Sequence, residues 1–215
     1  MITIPQSDVL HSAAPFPGND ILRLISYPNR NSVPYKKIYG LRDSKTVIRG
    51  TIRYQGFCEI LAGFNDLGLL KDDVVPSSVV SWPQLIQSLI QSQKCVSSSP
   101  HCSRLQKTLF EEFELSKVSS NVNFKTLIHA LTSHKIYSGL SFEATMDKLR
   151  KIFNGMFFLN MFNPESKIVS KKSRIEILCD AMKEKLSADK CDRDLVIMVH
   201  YLKVEYTNRP TGILF

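Results

Sequence analysis

Residues 46–61 read TVIRGTIRYQGFCEIL, a stretch in which a strand pattern is followed by a helix pattern. Residues 46–54 are rich in β-branched side chains and alternate in polarity, which predicts a strand. Gly50 within it indicates a bulge or a close approach of the backbone to a ligand. From Phe57 the apolar residues recur at helical spacing, and Gly68 is placed to end that helix. A strand that leads into a helix favours an α+β or α/β fold.

The residues before this stretch predict a strand, a loop and a short helix. Residues 20–27, DILRLISY, have the composition of a strand. Pro28 ends it and begins a loop, PNRNSVP, that is rich in turn-forming residues. A short helix is predicted at residues 33–40, where a proline in the first turn is tolerated.

The middle of the chain has the pattern of a small helical bundle. The predicted helices cover residues 81–92, 104–115, 123–136, 142–157 and 173–187. Two pairs, Ser81 with Gln84 and Ser173 with Glu176, have the spacing of a capping box, in which the two side chains bond each other's backbone amides.

The last strand pattern lies at residues 193–206, RDLVIMVHYLKVEY. Its centre is too apolar for an exposed edge, so we expect it to pair with the strand at 46–54. The helices between the two strands then interrupt one sheet. The prediction is an incomplete mixed sheet with helices, built from residues 1–91 and 188–215, and an inserted all-helical subdomain at 92–187.

Composition narrows the class of protein. The chain has 215 residues, 43% of them hydrophobic, as is typical of globular proteins. Its apolar runs are shorter than the roughly 18 residues of a membrane span, and its N-terminus lacks the pattern of a secretory signal. Five scattered cysteines indicate a reducing compartment. We expect an intracellular protein of the cytoplasm or mitochondrion, with no membrane partner.

The net charge of +8 permits an anionic partner. The basic residues do not form one block, and there is neither a helix-turn-helix pattern nor a strand of alternating basic and aromatic residues. A nucleic-acid partner is therefore not expected.

Arginines near the first two predicted strands are the candidate binding residues. Arg30 lies in the loop after the first strand, and Arg49 and Arg53 are four apart on the second, so they share a face. Thr51 lies on the same face. A planar guanidinium matches a carboxylate with two parallel hydrogen bonds, so this pattern fits a ligand with several carboxylates. The alternative is that these are surface arginines paired with Asp or Glu.

No local signature indicates a metal centre, a nucleophile or a phosphate cradle. Cys95, His101 and Cys102 do not complete a tetrahedral zinc set. There is no GxGxxG and no GxxxxGK[ST], and no Ser/His/Asp or Cys/His catalytic set can be assembled. The prediction is that this chain alone has no catalytic residue, no bound cofactor and no metal.

Longer motifs resemble the glutamate-forming saccharopine dehydrogenases. YPNRNSVPYKKIYGL at 27–41 and TVIRGTIRYQGFCEIL at 46–61 follow the pattern PNR, then Y-x-x-I-Y-G, then R-G-T-[LI]-R-Y-x-G-[FY]. IPQSDVLHSAAPFPG, from Ile4, is similar to the segment that leads to F-F-P-G in the family. CDRDLVIMVHYLKVEY at 191–206 is similar to the strand after the family's helical insert. The family includes the dehydrogenase half of the aminoadipic semialdehyde synthases.

This resemblance implies three parts: an NAD(P)-binding Rossmann domain, an α/β substrate and dimerisation domain, and a helical domain inserted in the latter. It also implies cleavage of saccharopine to glutamate and aminoadipic semialdehyde, or the reverse, with NAD or NADP. Saccharopine carries three carboxylates. By motif position, Arg30, Thr51, Ile52 and Arg53 are then saccharopine contacts, although Asn31 stands where the family has Asp.

The resemblance further implies a C-terminal substrate-binding part that is inactive alone, because the Rossmann domain is not on this chain. The family continues after the last strand with further elements, so the substrate domain is expected to be incomplete. The alternative is a non-catalytic pseudoenzyme or regulatory module that binds saccharopine or pairs with the full-length enzyme. Association as a homodimer or with that enzyme is the expected protein contact.

Overall fold

The computed structural model describes residues 4–5, 8–17, 21–29, 31–92, 100–118, 120–169, 171–193, 195–200, 202–206 and 209–214. Its helices are α1 (Val33–Ile38), α2 (Phe57–Asp66), α3 (Trp82–Gln91), α4 (Pro100–Glu112), α5 (Phe124–Thr132), α6 (Phe142–Phe158) and α7 (Arg174–Leu186). Its strands are β1 (Ala14–Pro15), β2 (Leu24–Pro28), β3 (Gly50–Tyr54), β4 (Leu202–Tyr206) and β5 (Arg209–Leu214). The predicted combination of helices with a small sheet is confirmed.

The three-stranded sheet has the order β1-β2-β3, and both of its pairings are antiparallel. The predicted strand at 20–27 begins only at Leu24, because Arg23 has a φ of +47° and turns the backbone out of the extended region. The predicted strand at 46–54 begins only at Gly50. Pro28, which pairs with Gly50, ends β2, so no strand in the described part of the chain pairs with residues 46–49.

A short turn joins β3 to α2 and fixes where the helix starts. Gly56 has a φ of +102°, a conformation that favours glycine, and its carbonyl accepts the first helical hydrogen bond from Ile60 at 3.0 Å. Gln55 donates to the carbonyl of Arg23 at 2.9 Å, which ties the turn to the start of β2. The helix ends, as predicted, at Gly68, whose φ is +84°.

One apolar core joins six of the helices. Helices α2 to α7 all contribute buried side chains to it, among them Phe64, Leu127 and Phe153. Helices α2 and α3, assigned above to the substrate domain, therefore share a core with the predicted insert at 92–187. The division into 1–91 with 188–215 and 92–187 stays a prediction.

Helices α2 and α6 approach each other through glycines. A Cβ atom placed on Gly63 of α2 would lie 2.6 Å from the side chain of Ile152, and one placed on Gly155 of α6 would lie 2.8 Å from Ile60. Each glycine thus leaves the space that an isoleucine of the other helix occupies. Since a real Cβ almost never comes so close to another heavy atom, this contact requires both glycines.

The strand prediction at 193–206 is wrong for most of its length. Among its described residues, 193 and 195–200 are not in a strand, whereas Leu202–Tyr206 is, and it pairs with β5 in a separate two-stranded sheet. The expected pairing with the strand at 46–54 is also wrong, because the strand ladders of the described residues join β3 to β2 and β4 to β5. Without a ladder partner among the described residues, the apolar side chains of Leu195, Val196 and Met198 are exposed.

The two predicted capping boxes have different outcomes. At α7 the box is confirmed: Glu176 N donates to Ser173 Oγ at 3.4 Å, and Ser173 N donates to the Glu176 carboxylate at 2.7 Å. At α3 it is wrong, because Ser81 makes no side-chain cap and the Gln84 side chain accepts from Val80 N instead. The Gln84 side chain thus bonds the residue before the N-cap, whereas a capping box needs it to bond Ser81 N.

The α2–α6 contact gives a stability prediction for Gly63→Ala. Alanine has a helix propensity about 1 kcal/mol better than glycine. Overpacking against Ile152, which is fully buried, costs about 1–3 kcal/mol and more than offsets this gain. We expect a net loss of about 1 kcal/mol in the free energy of unfolding, measured by urea denaturation with circular dichroism.

The matched control is Gly139→Ala, because a Cβ atom at Gly139 would have nothing within 4 Å. Its free energy of unfolding should stay within about 0.5 kcal/mol of the wild-type value, as is usual for surface changes. A Gly63→Ala variant that is as stable as the control would contradict the close approach of the two helices.

Candidate functional site

The candidate site lies on one face of the β2–β3 ladder. Tyr27 stands opposite Thr51, and Ile25 stands opposite Arg53. Directly opposite residues of an antiparallel pair point to the same face, so Tyr27, Thr51 and Arg53 share it. The Arg53 side chain is exposed and Thr51 is half-buried, which leaves both within reach of a ligand.

The other two predicted contacts are placed differently. Ile52 stands opposite Ser26, so its side chain points to the reverse face of the sheet from Thr51 and Arg53. Its carbonyl nevertheless accepts a hydrogen bond from Arg53 Nη1 at 2.9 Å. Arg30 lies outside the described residues. Of the four predicted saccharopine contacts, Thr51 and Arg53 are thus placed together.

The loop between β2 and α1 is tied to the start of β3. Asn29 N donates to the Arg49 carbonyl at 3.0 Å, and Arg49 N donates to Ser32 Oγ at 2.9 Å. Asn31 Oδ1 accepts from Val33 N at 3.1 Å, an interaction that an aspartate oxygen makes equally well. The change from the family's Asp to Asn31 is therefore compatible with the same local turn.

Arg49 and Arg53 each lie over an aromatic ring. The Arg49 guanidinium lies 3.8 Å from the centre of the Tyr35 ring, and that of Arg53 lies 5.3 Å from the centre of the Phe57 ring. Among the described residues neither arginine pairs with a carboxylate, in contrast to Arg150 of α6, which bonds Glu112 at 2.7 Å. The N–H groups at the guanidinium edges remain able to bind an anion.

Glu59 anchors the start of α2 next to this face. Its carboxylate accepts from Gly56 N at 3.2 Å and from Lys151 of α6 at 3.0 Å. Burial alone would raise the pKa of Glu59, but the hydrogen bonds and the positive charge of Lys151 outweigh it and hold the pKa below its ordinary value. The ionised pair therefore joins the β3–α2 turn to the helical core.

Cys58, one residue earlier, is not a candidate nucleophile. Its side chain is buried, and burial raises the pKa of the thiol to about 11. A thiol with this pKa is protonated at neutral pH, whereas the thiolate is the nucleophilic form. Cys58 is therefore a small apolar core residue of α2.

A second polar cluster, which the sequence did not predict, joins the N-terminal segment to the helices. His11 Nε2 lies 3.2 Å from Asp66 Oδ2, with both side chains only 6% exposed, and the His11 ring stacks on His134 with centres 4.3 Å apart. His134 Nε2 lies 3.7 Å from Asp8, which bonds Lys135 at 2.7 Å. These residues are far apart in the sequence, and no motif links them.

His11, Asp66 and His134 each offer one donor atom, and these atoms lie within 4.8 Å of one another. Ligand lone pairs must converge on a metal ion. The two imidazole rings are nearly parallel, at 21°, and cannot both aim a nitrogen at one point without turning. The cluster instead connects the N-terminal segment to the helices through an ion pair and stacked rings. The sequence prediction that this chain holds no metal stays a prediction.

Comparison with known proteins shows the family to which this chain belongs. The chain belongs to the saccharopine dehydrogenase C-terminal domain family, whose model matches residues 1–211. The resemblance described from the PNR and RGTIRY motifs is thereby confirmed.

The relatives of the chain are longer proteins of that kind. It is 24% identical to saccharopine dehydrogenase (NADP(+), L-glutamate-forming) of Saccharomyces cerevisiae, over 97% of this chain and 40% of that protein. The enzyme of the same name from Pyricularia oryzae is 27% identical, over 88% of this chain and 34% of that protein. The mitochondrial alpha-aminoadipic semialdehyde synthase of Bos taurus is 37% identical over 45% of this chain and 10% of that protein.

The fold agrees with a solved structure, the apo histidine-tagged saccharopine dehydrogenase (L-Glu forming) from Saccharomyces cerevisiae. The TM-score is 0.53 at 23% identity, over 84% of this chain and 34% of that chain. The chain thus spans about two fifths or less of the length of these relatives. None of the helices in the described residues is long and apolar enough to cross a membrane.

The Glu59–Lys151 pair gives a prediction with a defined pH dependence. Glu59→Gln should lower the free energy of unfolding by about 1–2 kcal/mol at pH 7, because it leaves a partly buried Lys151 with one fewer charged partner. A carboxylate whose folded-state pKa is depressed stabilises the protein above its unfolded pKa. The difference between the two proteins should therefore shrink as the pH falls through the folded-state pKa of Glu59, below 4.5.

The matched control is Glu112→Gln, which breaks the exposed ion pair with Arg150. It should cost about 0.5 kcal/mol or less at pH 7, because solvent screens an exposed pair. Equal losses for Glu59→Gln and Glu112→Gln, or a loss for Glu59→Gln that does not depend on pH, would contradict the anchoring role of Glu59.

Proposed function

We propose that this chain is the substrate-binding part of a saccharopine dehydrogenase, which forms or cleaves saccharopine in lysine metabolism. Membership of the C-terminal domain family supports this proposal. The face of β3 supports assigning substrate binding to particular residues. Arg53 and Thr51 lie together on this face, and Arg53 has no acidic partner among the described residues. Such a face suits an anionic ligand with several carboxylates.

The role of these residues is to position the ligand. A guanidinium binds a carboxylate through two parallel N–H bonds, which fix both distance and angle. Thr51 adds a hydroxyl on the same face, and Arg30 adds a second guanidinium by its position in the PNR motif. Hydride transfer depends on how the reacting carbon is held against the nicotinamide, so these residues orient the substrate and do no acid-base work.

The nicotinamide cofactor belongs, on this proposal, to another domain. The names of the relatives specify NADP(+), but the sequence of this chain has no glycine-rich motif to hold a pyrophosphate. The described face likewise consists of side chains on a sheet rather than of a loop at the start of a helix.

Calorimetric titration with saccharopine tests the binding site. The wild-type chain should bind, and Arg53→Ala should weaken binding about tenfold or more, since a charge-assisted hydrogen bond contributes about 1.5–3 kcal/mol. Arg30→Ala should have a similar effect, and Thr51→Val a smaller one. All variants are first checked for an unchanged thermal unfolding temperature.

Arg42→Ala is the matched control for loss of positive charge, because Arg42 is exposed, lies in the turn after α1 and is not part of β3. It should leave the affinity within about twofold of the wild-type value. No heat of binding to the folded wild-type chain, or an equal loss in Arg42→Ala and Arg53→Ala, would refute the site.

A second assay separates a substrate-binding part from a self-sufficient enzyme. The chain mixed with saccharopine and NAD or NADP should produce no reduced nicotinamide, because it lacks a phosphate-binding motif. Turnover by the purified chain would overturn this part of the proposal. Binding without turnover also fits a regulatory module, and restored turnover on adding a separately expressed nucleotide-binding domain would favour the enzyme.

A further inference from the structure

The backbone of Arg49 is held on both sides before any ligand arrives. Its carbonyl accepts from Asn29 and its amide donates to Ser32 Oγ, at 3.0 and 2.9 Å. The bond from Asn29 lies one residue beyond the Pro28–Gly50 pair, at the next position of the same register, so the backbone of Arg49 is fixed to the residue that follows β2. Arg49 therefore shares the alternation of β3, and its side chain starts from the same face as Thr51 and Arg53.

The side chain of Arg49 is held as well. Its guanidinium Cζ lies 3.8 Å from the centre of the Tyr35 ring, and the residue is half-buried. Stacking uses the face of the guanidinium and leaves the N–H groups at its edge for an anion. Because a long side chain loses rotamer freedom when it is fixed, an arginine already held by a ring loses less of it on binding.

The spacing along β3 determines whether Arg49 and Arg53 bind the same carboxylate or different ones. Four residues of an extended strand cover roughly 13 Å. Each guanidinium also lies over its own ring, Arg49 over Tyr35 and Arg53 over Phe57, so the two groups hold separate positions along the face. The two carboxylate carbons of glutamate are four single bonds apart, less than about 6 Å. The outermost carboxylates of saccharopine are separated by about ten single bonds, which in extended form reach roughly 12 Å.

We infer that Arg49, held by Tyr35, is a further carboxylate-binding residue of this site, and that Arg49 and Arg53 together select ligands with carboxylates at two distant ends. The inference rests on the proposed function and adds a specificity rule to it. Arg53 and Arg49 each bind one end of the ligand, and Thr51 lies between them. A short dicarboxylate engages one arginine at a time, so it binds more weakly.

The test is calorimetric titration of the chain with saccharopine and with glutamate. The wild type should prefer saccharopine by at least tenfold. Arg49→Ala should weaken saccharopine binding about tenfold and bring the ratio of the two affinities close to one. Arg49→Gln removes the charge with a smaller change in shape and should give the same result if Arg49→Ala is unstable. Tyr35→Leu removes the ring but keeps Arg49, and should weaken saccharopine binding a few-fold.

The possible outcomes distinguish a failure of the inference about Arg49 from a failure of the proposed saccharopine-binding function. If the folded wild type does not bind saccharopine, the proposed function fails and this inference fails with it. If the wild type binds and Arg53→Ala binds weakly, but Arg49→Ala and Arg49→Gln keep the wild-type affinity ratio, only the present inference is overturned. Arg42→Ala serves again as the control and should keep that ratio.

Discussion

The close approach of α2 and α6 is the contact on which the rest of the structure depends. Gly63 accommodates Ile152, and Gly155 accommodates Ile60, so the two helices meet at a distance that no larger residue allows at either glycine. The same pair of helices is joined at its polar edge by Glu59 and Lys151. Apolar packing and an ionised pair thus act on one interface, and α2 carries this constraint to the sheet through Gly56.

The position of the candidate site follows from that constraint. Residues 55 and 56 join β3 to α2, so fixing α2 on the helical core also fixes the strand that carries Thr51 and Arg53. The His11–Asp66 pair and the stacked His134 hold the N-terminal segment to the same helix end. The candidate face is therefore built on the edge of the helical core, which suits the positioning role proposed for its residues.

Much of this arrangement could be predicted from the sequence, and the failures have physical causes. Apolar periodicity identified α2 to α7 because a helix that packs on a core needs one apolar stripe. The same reasoning failed at 193–206, where composition indicated a strand but the partner strand, which no local pattern specifies, was different. The capping box at Ser81 failed because Gln84 bonds the amide of Val80 instead of that of Ser81. Thr51 and Arg53 were predicted through alternation and motif, whereas the His11–Asp66–His134 cluster depends on tertiary contacts alone.

Because Cys58 is buried, the reactivity of its thiol reports on the opening of α2, the helix that follows β3. Cys179 and Cys191 are exposed and would react with a thiol reagent at once, while Cys58 is buried in the first turn of α2 with its pKa raised to about 11. Its modification requires α2 to open. The labelling rate of Cys58 therefore measures how often α2 opens next to β3. A ligand that bridges β3 and the loop before α1 would slow this labelling in proportion to the fraction of the protein that is bound.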